Sequence, residues 1–398
     1  MGLFAAAVFV DVMAWGHIAA FTPLYLREEL GVPEDQIPLW AGVLAAAPLF
    51  IAVPLSPFWG VLAERYARKP IIVRAMFAAA VGYGLAAFAQ DPWGLLLSRV
   101  AFGLTFGHVA VMLATQSLIT PGRRLGSALG VIQAAMPAAT AASPLWGALL
   151  VQTVGLRMLW VVDAAVLLVL ACAVTFLLKE PNVPRSVEPV LNRVRQVATV
   201  TVSQPTVRWS FVAWFLVYCG AGAIDPFVPV LIQSLYEGPD PAVAIGLVLA
   251  AYGLVTSAAT VVVGRLSDRA GPARVLIVSC ALLAIVVAAI GFSPTLTVLA
   301  ALTILRAIPQ AGTGPALYLH LARVLPPSHR ASIMGFTPLS RNAAYLVAPM
   351  AAAALSGFGL PVVFVLGAGC YTLAVVAARL MGRAPAFMLA PEAPQRRD

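Results

Sequence analysis

Residues 342–378 read NAAYLVAPMAAAALSGFGLPVVFVLGAGCYTLAVVAA, and this run contains no Asp, Glu, Lys or Arg. A membrane-spanning helix needs about 20 largely apolar residues, so the run is long enough for two spans. The Ser-Gly-Phe-Gly sequence at 356–359 marks the turn between them. Four further runs are equally free of charge: 36–63, 125–156, 241–264 and 275–305. A soluble fold would need water-exposed positions in every run, so the sequence predicts an integral membrane protein.

The composition of the whole chain supports this prediction. Of 398 residues, 61% are hydrophobic and only 10% are charged, and the mean hydropathy is +0.93. Soluble domains are usually about 45–50% apolar and about 25% charged. An ordinary soluble protein, a disordered chain and a collagen-like chain are therefore excluded. The apolar start carries Asp11 and lacks a basic region before it, so no cleavable signal peptide is expected.

The cysteines and histidines form no recognisable metal motif. Neither C-x-x-C nor H-E-x-x-H occurs, so we expect no metal site and no cofactor other than a proton gradient. The four cysteines lie inside apolar runs and are expected to be reduced packing residues rather than a disulfide framework. They are Cys172, Cys219, Cys280 and Cys370.

The apolar runs predict an all-α integral membrane fold with twelve transmembrane helices. Strands are implausible because the runs are too long and lack the alternation of barrel strands. Prolines inside the spans are tolerated where neighbouring helices satisfy the freed backbone groups. The predicted helices are 3–25, 39–61, 71–90, 93–117, 126–151, 158–178, 209–234, 243–263, 273–292, 296–321, 331–355 and 360–381.

The basic residues predict the orientation of these helices. Twenty of the 25 Lys and Arg residues lie in one set of alternate loops and in the C-terminal tail, whereas the opposite loops hold only Arg27 and Arg157. Cytoplasmic loops carry such an excess. We therefore expect a multi-pass protein of the inner or plasma membrane with both termini in the cytoplasm. The net charge of +9, which in a soluble protein would suggest a nucleic-acid partner, marks the cytoplasmic face instead.

The chain contains an internal repeat. The segment 60–65 matches 264–269 at an offset of 204, and Arg99 matches Arg306 at an offset of 207. Two proline-containing matches, Phe21-Thr-Pro23 with Phe227-Val-Pro229 and Pro144 with Pro349, fall at nearly the same offset. The predicted organisation is a six-helix bundle at 1–178, a cytoplasmic linker at 179–208, a second six-helix bundle at 209–383 and a cytoplasmic tail at 384–398. Two halves of equal topology are typical of a secondary transporter whose site lies between the halves near mid-membrane.

One loop carries a family resemblance. Residues 60–69, Gly-Val-Leu-Ala-Glu-Arg-Tyr-Ala-Arg-Lys, resemble the loop 2–3 signature of the major facilitator superfamily, with Glu64 in place of Asp and Ala67 in place of Gly. The second half keeps Asp268 and Gly271 but lacks the paired basic residues. The resemblance implies two pseudo-symmetric six-helix bundles.

Three further motifs resemble the twelve-helix branch of drug:proton antiporters. In helix 1, Asp11, Gly16 and Pro23 have the spacing of that branch. Helix 4 carries Arg99-x-x-x-Gly103-x-x-x-Gly107, and helix 5 carries Ser143-Pro144-x-x-Gly147, where Ser143 and Trp146 replace glycines. The small-xxx-small spacing in helix 4, and in Gly126-x-x-x-Gly130, predicts close helix contacts inside the bundle.

The resemblance implies a conformational latch at the cytoplasmic ends of the helices. An acid at the end of helix 2 can sit near a helix N-terminus and pair with arginines, which holds one conformation. The alternative is that the basic residues only fix the topology. The latch residues are Gly60, Glu64, Arg65, Arg68, Lys69, Asp268 and Arg269.

Ionisable residues inside the spans are the candidates for transport. Each costs about 2.5–3.5 kcal/mol at the bilayer centre on insertion scales and usually faces a cavity or a partner. Asp11 and Asp225 are the candidate proton carriers, and their alternative role is an ion pair with Arg341 or Arg99. Arg99 resembles the proton-transfer arginine of the family, with helix packing as the alternative. Asp163 is expected to be a solvated helix end.

A second set of residues is expected to line a substrate cavity. Arg341 lies near mid-membrane, where a cation favours either an anionic substrate or an acid partner. His17 and His108 can titrate near neutral pH, but a hydrogen-bonded interior role is the alternative. Trp15, Tyr218 and Phe336 belong to an aromatic pocket or to ordinary packing. The cavity set is His17, His108, Gln133, Arg341, Asn342 and Tyr345, beside the helix 5 motif residues Pro144 and Gly147.

The leading hypothesis is a proton-coupled exporter of small amphipathic compounds or drugs, acting as a monomer in the lipid bilayer. Its partners are protons and a small-molecule substrate, with no nucleic acid. The alternative is an uptake or exchange carrier for a small anionic metabolite, favoured by Arg341 and by the altered helix 5 motif. A membrane-embedded enzyme is disfavoured because the sequence offers no catalytic constellation.

Overall fold

The computed structural model describes residues 2–65, 67–120, 122–178, 195, 199–238, 240–326 and 333–384, without the side chains of 57, 59–65, 110 and 122–127. Within these ranges the chain is helical and contains no strand. The all-α prediction is therefore confirmed. Most of the predicted linker (179–194 and 196–198) and the tail after 384 lie outside the described residues, so the predicted domain boundaries stay a prediction.

The described residues form twelve helical spans, which we number α1–α12 in chain order. The first half contains α1 (Gly2–Glu28), α2 (Ile37–Ala46 and Leu49–Arg65), α3 (Arg68–Ala87), α4 (Pro92–Phe102, a 3₁₀ turn at Gly103–Thr105, and His108–Ile119), α5 (Gly122–Val154) and α6 (Leu156–Leu177). The second half contains α7 (Pro205–Ile224 and Val228–Leu235), α8 (Pro241–Ala270), α9 (Pro272–Gly291), α10 (Leu296–Val324), α11 (Thr337–Leu355) and α12 (Leu360–Arg383).

Ten of these described spans are long and apolar enough to cross a membrane by length and composition alone. The two others are α4 and α11. Helix α4 is divided into pieces, because Gly107 adopts a φ of 92° that only glycine tolerates without strain. Helix α11 begins with polar residues that include Arg341 and Asn342. The break shortens the helical pieces of α4, the polar residues lower the apolarity of α11, and both spans carry residues of the candidate site.

The two halves are built alike. In the first half α1 packs on α5, and α3 packs on α4 and α6. In the second half α7 packs on α11, and α9 packs on α10 and α12, which are the equivalent pairs. The halves meet along two seams, α5 against α8 and α2 against α11, and these seams are also equivalent under the repeat.

Both seams lie toward one side of the bundle, which we call the far side and define by the loops at 29–36, 236–240 and 356–359. There the helices approach so closely that side chains would collide. A methyl group at Gly246 of α8 would lie 2.6 Å from the Ala148 Cβ, and one at Gly42 of α2 would lie 2.5 Å from the Pro349 carbonyl oxygen. Gln152 also donates a hydrogen bond of 2.9 Å to the Asp240 carboxylate across the first seam.

The opposite side, where α6 ends and α7 begins, is called the linker side. Toward the linker side, α5 and α8 have free space beside their glycines, because a methyl group at Gly130 of α5 or at Gly264 of α8 would meet no atom within 4 Å. The expectation of a close contact at Gly130 is therefore wrong. Among the described residues, the closest helix approaches between the halves that involve these glycines therefore lie toward the far side.

The helix 5 motif forms part of the packing between α1 and α5. A methyl group at Gly147 would lie 2.5 Å from the His17 Cβ and 2.6 Å from the Phe21 ring. Gly16 of α1 likewise packs against the Ser143 hydroxyl. Gly147 therefore sets the distance between these two helices.

We predict that Gly147→Ala destabilises the protein, whereas Gly130→Ala on the same helix does not. Overpacking typically costs about 1–3 kcal/mol, and glycine in a helix interior is about 0.5–1 kcal/mol worse than alanine where space is free. Thermal unfolding in detergent should give a lower Tm for the first variant and an equal or higher Tm for the second. Equal changes in the two variants would contradict the packing described here.

Candidate functional site

Asp11 of α1 faces His108, the first residue of the second piece of α4. The Asp11 carboxylate oxygen lies 3.5 Å from His108 Nε2, and the Asp11 side chain is 18% exposed. His108 Nδ1 lies 2.7 Å from the Thr105 carbonyl oxygen. A carbonyl only accepts hydrogen bonds, so Nδ1 carries a proton. Nε2 then faces the carboxylate at 3.5 Å, where the imidazole and the carboxylate can share a proton.

A second acid–histidine pair lies deeper in the same half. Asp163 of α6 lies 2.7 Å from Nε2 of His17 on α1, with side-chain exposures of 6% and 0%. The expectation that Asp163 is a solvated helix end is therefore wrong. Its position near the start of α6 does not expose it, because α1 and α6 pack together at that depth. His17 is fully buried, so in this conformation it does not face an open cavity.

Arg99 of α4 is a buried cation without an acid partner. Its guanidinium carbon lies 5.2 Å from the Trp15 ring and 5.7 Å from the Trp160 ring. Its Nε and Nη1 atoms have no hydrogen-bond partner, and no described carboxylate lies within ion-pair distance. Cation–π contacts give about 0.5–2 kcal/mol. Stacking between the two indoles holds the group in place but leaves its charge uncompensated at close range.

Arg306 occupies the equivalent position in the second half, and there the cation is paired. Its Nη2 donates to the Asp225 carboxylate at 2.9 Å, and the Tyr345 hydroxyl donates to the other oxygen at 3.3 Å. The guanidinium also lies 4.6 Å from the Tyr252 ring. The Asp225 side chain is 40% exposed, whereas that of Arg306 is 5% exposed.

These contacts decide between the partners considered for the two carboxylates. Asp11 pairs with His108, and Asp225 pairs with Arg306. The alternative prediction, an ion pair of either acid with Arg341 or Arg99, is therefore wrong for this conformation. The sequence reasoning did not assign a role to Arg306. The repeat match of Arg99 with Arg306 was the signal that could have drawn attention to it.

The remaining cavity residues are spread along the interface. Asn342 donates a hydrogen bond of 3.2 Å to the Ser56 hydroxyl of α2, which joins the halves toward the linker side. Arg341 is partly exposed and forms no hydrogen bond or ion pair with the described residues. It lies within electrostatic reach of Tyr218, whose ring lies 5.8 Å from that of Tyr345.

Two further predicted residues lie elsewhere. Gln133 is exposed on α5, and Phe336 is the residue that precedes the first turn of α11.

Only part of the latch lies within the described residues. The side chains of Glu64 and Arg65, and the surroundings of Gly60, lie outside them. Arg68 and Lys69 are the first two residues of α3. Asp268 lies 3.6 Å from Arg323, both side chains are exposed, and Arg269 is exposed beside them. The latch therefore stays a prediction.

Comparisons with known proteins agree with this architecture. The sequence profile of the Major Facilitator Superfamily matches residues 4–244 and 210–397. The multidrug resistance protein MdtG of Salmonella typhi is 27% identical over 367 residues, covering 91% of this chain and 90% of the relative. The MdtG of Klebsiella pneumoniae is 27% identical over 384 residues, covering 95% and 92%.

Solved structures show the same fold at low sequence identity. A bacterial homolog of the human lysosomal transporter Spinster, in an inward-facing and unoccupied conformation, superposes with a TM-score of 0.78 at 15% identity, covering 98% of both chains. The nucleoside transporter NupG superposes with a TM-score of 0.77 at 13% identity, covering 96% of this chain and 99% of the other.

A helical membrane bundle of two like halves, with ion pairs buried inside each half, defines a multi-pass membrane transporter rather than an enzyme. The chain belongs to the Major Facilitator Superfamily. It resembles the drug:proton antiporter branch through its MdtG relatives.

We predict that Asp225→Asn destabilises the protein because it removes the acid partner of the buried Arg306. Breaking a fully buried pair costs about 3–5 kcal/mol, and we expect about 1–3 kcal/mol here because the Asp225 side chain is partly exposed. Asp268→Asn is the control, since exposed pairs contribute about 0–1 kcal/mol. Thermal unfolding should show a clearly lower Tm for the first variant only. A similar Tm in both variants would rule out a stabilising role for the Asp225–Arg306 pair.

Proposed function

We propose that this protein exports small amphipathic compounds, including drugs, across the bacterial inner membrane in exchange for protons. The observation that supports the proposal is the Asp11–His108 contact, which places an imidazole nitrogen 3.5 Å from a partly exposed carboxylate, so that the two groups can share a proton. The MdtG relatives are multidrug resistance proteins, which supports efflux as the direction and the inner membrane as the location.

The proposed cycle is alternating access between the two halves. The positive-inside rule makes the linker side cytoplasmic, so closure at the far side corresponds to an inward-facing conformation. The inward-facing Spinster homolog, which has the same fold, supports this assignment. Substrate enters from the cytoplasm and reaches the Asp11 region, where its binding favours release of the proton. Rocking of one half against the other then opens the far side.

The driving force in this proposal is the proton gradient, without any bound cofactor. The protein is proposed to act as a monomer, because the path lies between the two halves of one chain. The Asp225–Arg306–Tyr345 group forms part of the wall supplied by the second half. Because the Asp225 carboxylate is partly exposed, it can exchange Arg306 for a cationic substrate.

We predict that wild-type protein in vesicles accumulates ethidium, a planar aromatic cation, when a pH gradient is imposed. Asp11→Asn should reduce gradient-driven accumulation about tenfold or more, because the coupling proton is no longer bound. Asp35→Asn, in an exposed loop, is the matched control and should behave like wild type. Ethidium fluorescence and a pH dye report transport and proton movement together. Absence of ethidium-dependent proton movement in wild type would contradict antiport.

A second candidate function is transport of a small organic anion. It rests on Arg341, which is partly exposed and has no acid partner among the described residues. An uncompensated cation between transmembrane helices attracts an anion. The aromatic rings of Tyr218 and Tyr345 beside it suit an amphipathic anion rather than an inorganic one.

We predict, for this second function, that Arg341→Lys retains part of fluorescein transport whereas Arg341→Ala loses it. Fluorescein is a dianion, and ethidium is the matched cation. An effect confined to fluorescein would support the anion carrier. If both probes lose transport to the same extent, Arg341 does not select the charge of the substrate.

A further inference from the structure

We propose that the outer groove of the α5–α8 seam binds one phospholipid, with an acyl chain in the groove and an ethanolamine headgroup at the Gln152–Asp240 pair. The groove has a volume of about 360 Å³ and is lined by residues of both halves. Its apolar walls include, from α5, Ala142, Leu145, Trp146 and Leu149 and, from α8, Leu247. Lipid binding at this site is independent of the proposed proton coupling.

The groove lies on the outer surface of the bundle. Gly147 of α5 packs on α1, since a methyl group there would lie 2.5 Å from the His17 Cβ. Leu145 and Leu149 are each two residues from Gly147, and at about 3.6 residues per turn they lie on the opposite side of the helix. Both are about half exposed, as is Leu247 on α8. A contiguous exposed apolar surface of this kind marks contact with a membrane or a partner.

The length of the groove matches one leaflet of a bilayer. From Ala142 to Gln152 the helix advances ten residues, a rise of about 15 Å. The hydrocarbon core of a bilayer is about 30 Å thick, so one leaflet supplies about half of that. Gln152 is two residues from the end of α5, and Asp240 is the N-cap of α8. An acyl chain of the far-side leaflet can therefore fill the groove while its headgroup reaches this polar pair.

The charges at the polar end select the headgroup. The Asp240 carboxylate accepts hydrogen bonds from the Ala242 backbone at 3.0 Å and from Gln152 at 2.9 Å. No Lys or Arg occurs in 125–156 or 209–264, the stretches that contain both walls. An anionic headgroup would therefore face a carboxylate without a neighbouring cation from these walls. An ethanolamine ammonium offers three N–H donors to the remaining lone pairs of the carboxylate, whereas choline has the same charge and no N–H group.

A lipid in this groove contacts both halves at once. The seam beneath it is tight, because a methyl group at Gly246 of α8 would lie 2.6 Å from the Ala148 Cβ of α5. Opening of the far side would separate these helices and divide the groove. A ligand shifts an equilibrium toward the state that it binds better, so the bound lipid stabilises the conformation in which the far side is packed. This consequence rests on the proposed alternating cycle, whereas the lipid site does not.

Tryptophan fluorescence tests the binding, because bromine atoms on an acyl chain quench an indole on contact. The full chain is reconstituted in phosphatidylcholine vesicles that contain a small fraction of brominated lipid with an ethanolamine, choline or glycerol headgroup. The emission of Trp146 is the difference between wild type and Trp146→Phe. Brominated phosphatidylethanolamine should quench it at an about twofold to fivefold lower fraction than the other two lipids, the range expected of one exposed ion pair.

Trp93 is the matched control for this assay. It is exposed on α4, which does not line the groove, and its emission is the difference between wild type and Trp93→Phe. The three brominated lipids should quench Trp93 equally, as expected of ordinary bilayer contact. If they also quench Trp146 equally, the groove selects no headgroup and the proposed site is wrong.

Two matched variants test the headgroup contact. Asp240→Asn removes the charge and keeps the helix cap, because Asn and Asp are equally good N-caps. It should abolish the preference of Trp146 quenching for the ethanolamine lipid. Asp91→Asn is the control, since Asp91 caps α4 in the same way by accepting from the Gly94 backbone at 2.7 Å. A preference that survives in Asp240→Asn would refute the assignment of the headgroup to this pair.

Hydrogen exchange of backbone amides at the far-side ends of α5 and α8 tests the conformational effect. The ethanolamine lipid should slow this exchange relative to the choline and glycerol lipids, because the far side opens less often. Ala142→Phe, which fills the groove at an exposed position, should make the exchange equal in the three lipids. Equal exchange in wild type despite selective quenching would refute the effect on the cycle and leave the lipid site standing. Neither measurement uses ethidium, so a failure of the proposed antiport is seen separately.

Discussion

A charge between transmembrane helices must be balanced within the protein, because hydrocarbon does not solvate it. This constraint organises both halves of the molecule. Each half buries one arginine at an equivalent position, and the surrounding helices supply aromatic rings and acids in different arrangements. Helices α1, α4 and α6 in one half, and α7, α8 and α10 in the other, supply the arginine or the groups that contact it.

The two halves surround their buried arginines with different groups. Arg306 has Asp225 at 2.9 Å, so its charge is neutralised locally and the carboxylate extends toward the interface. Among the described residues, Arg99 has two indole rings and no carboxylate at close range. Equivalent positions of the repeat thus hold an ion pair in one half and a cation against indole rings in the other.

Much of the architecture could be predicted because its signals are local. Charge-free runs indicated the spans, and repeat matches such as Arg99 with Arg306 indicated the two halves, whereas the orientation from the basic loops stays a prediction. The partners of Asp11 and Asp225 could not be predicted, since they depend on how each helix is rotated and how deep it lies. The prediction that Asp163 is exposed to solvent was wrong for the same reason. The spacing of Gly103 and Gly107 suited close packing, but Gly107 in fact interrupts α4 through its positive φ.

The interruption of α4 and the polar start of α11 bear on how the protein is made. A segment leaves the translocation channel for the bilayer according to its apolarity, and an arginine at the centre opposes this by about 2.5–3.5 kcal/mol. Helix α4 follows α3 after a short turn and packs against it, and α11 packs against the earlier α7. We therefore expect both spans to be inserted more readily when the helices on which they pack are already in the membrane. A defect in α3 or α7 would then also impair the insertion of α4 or α11.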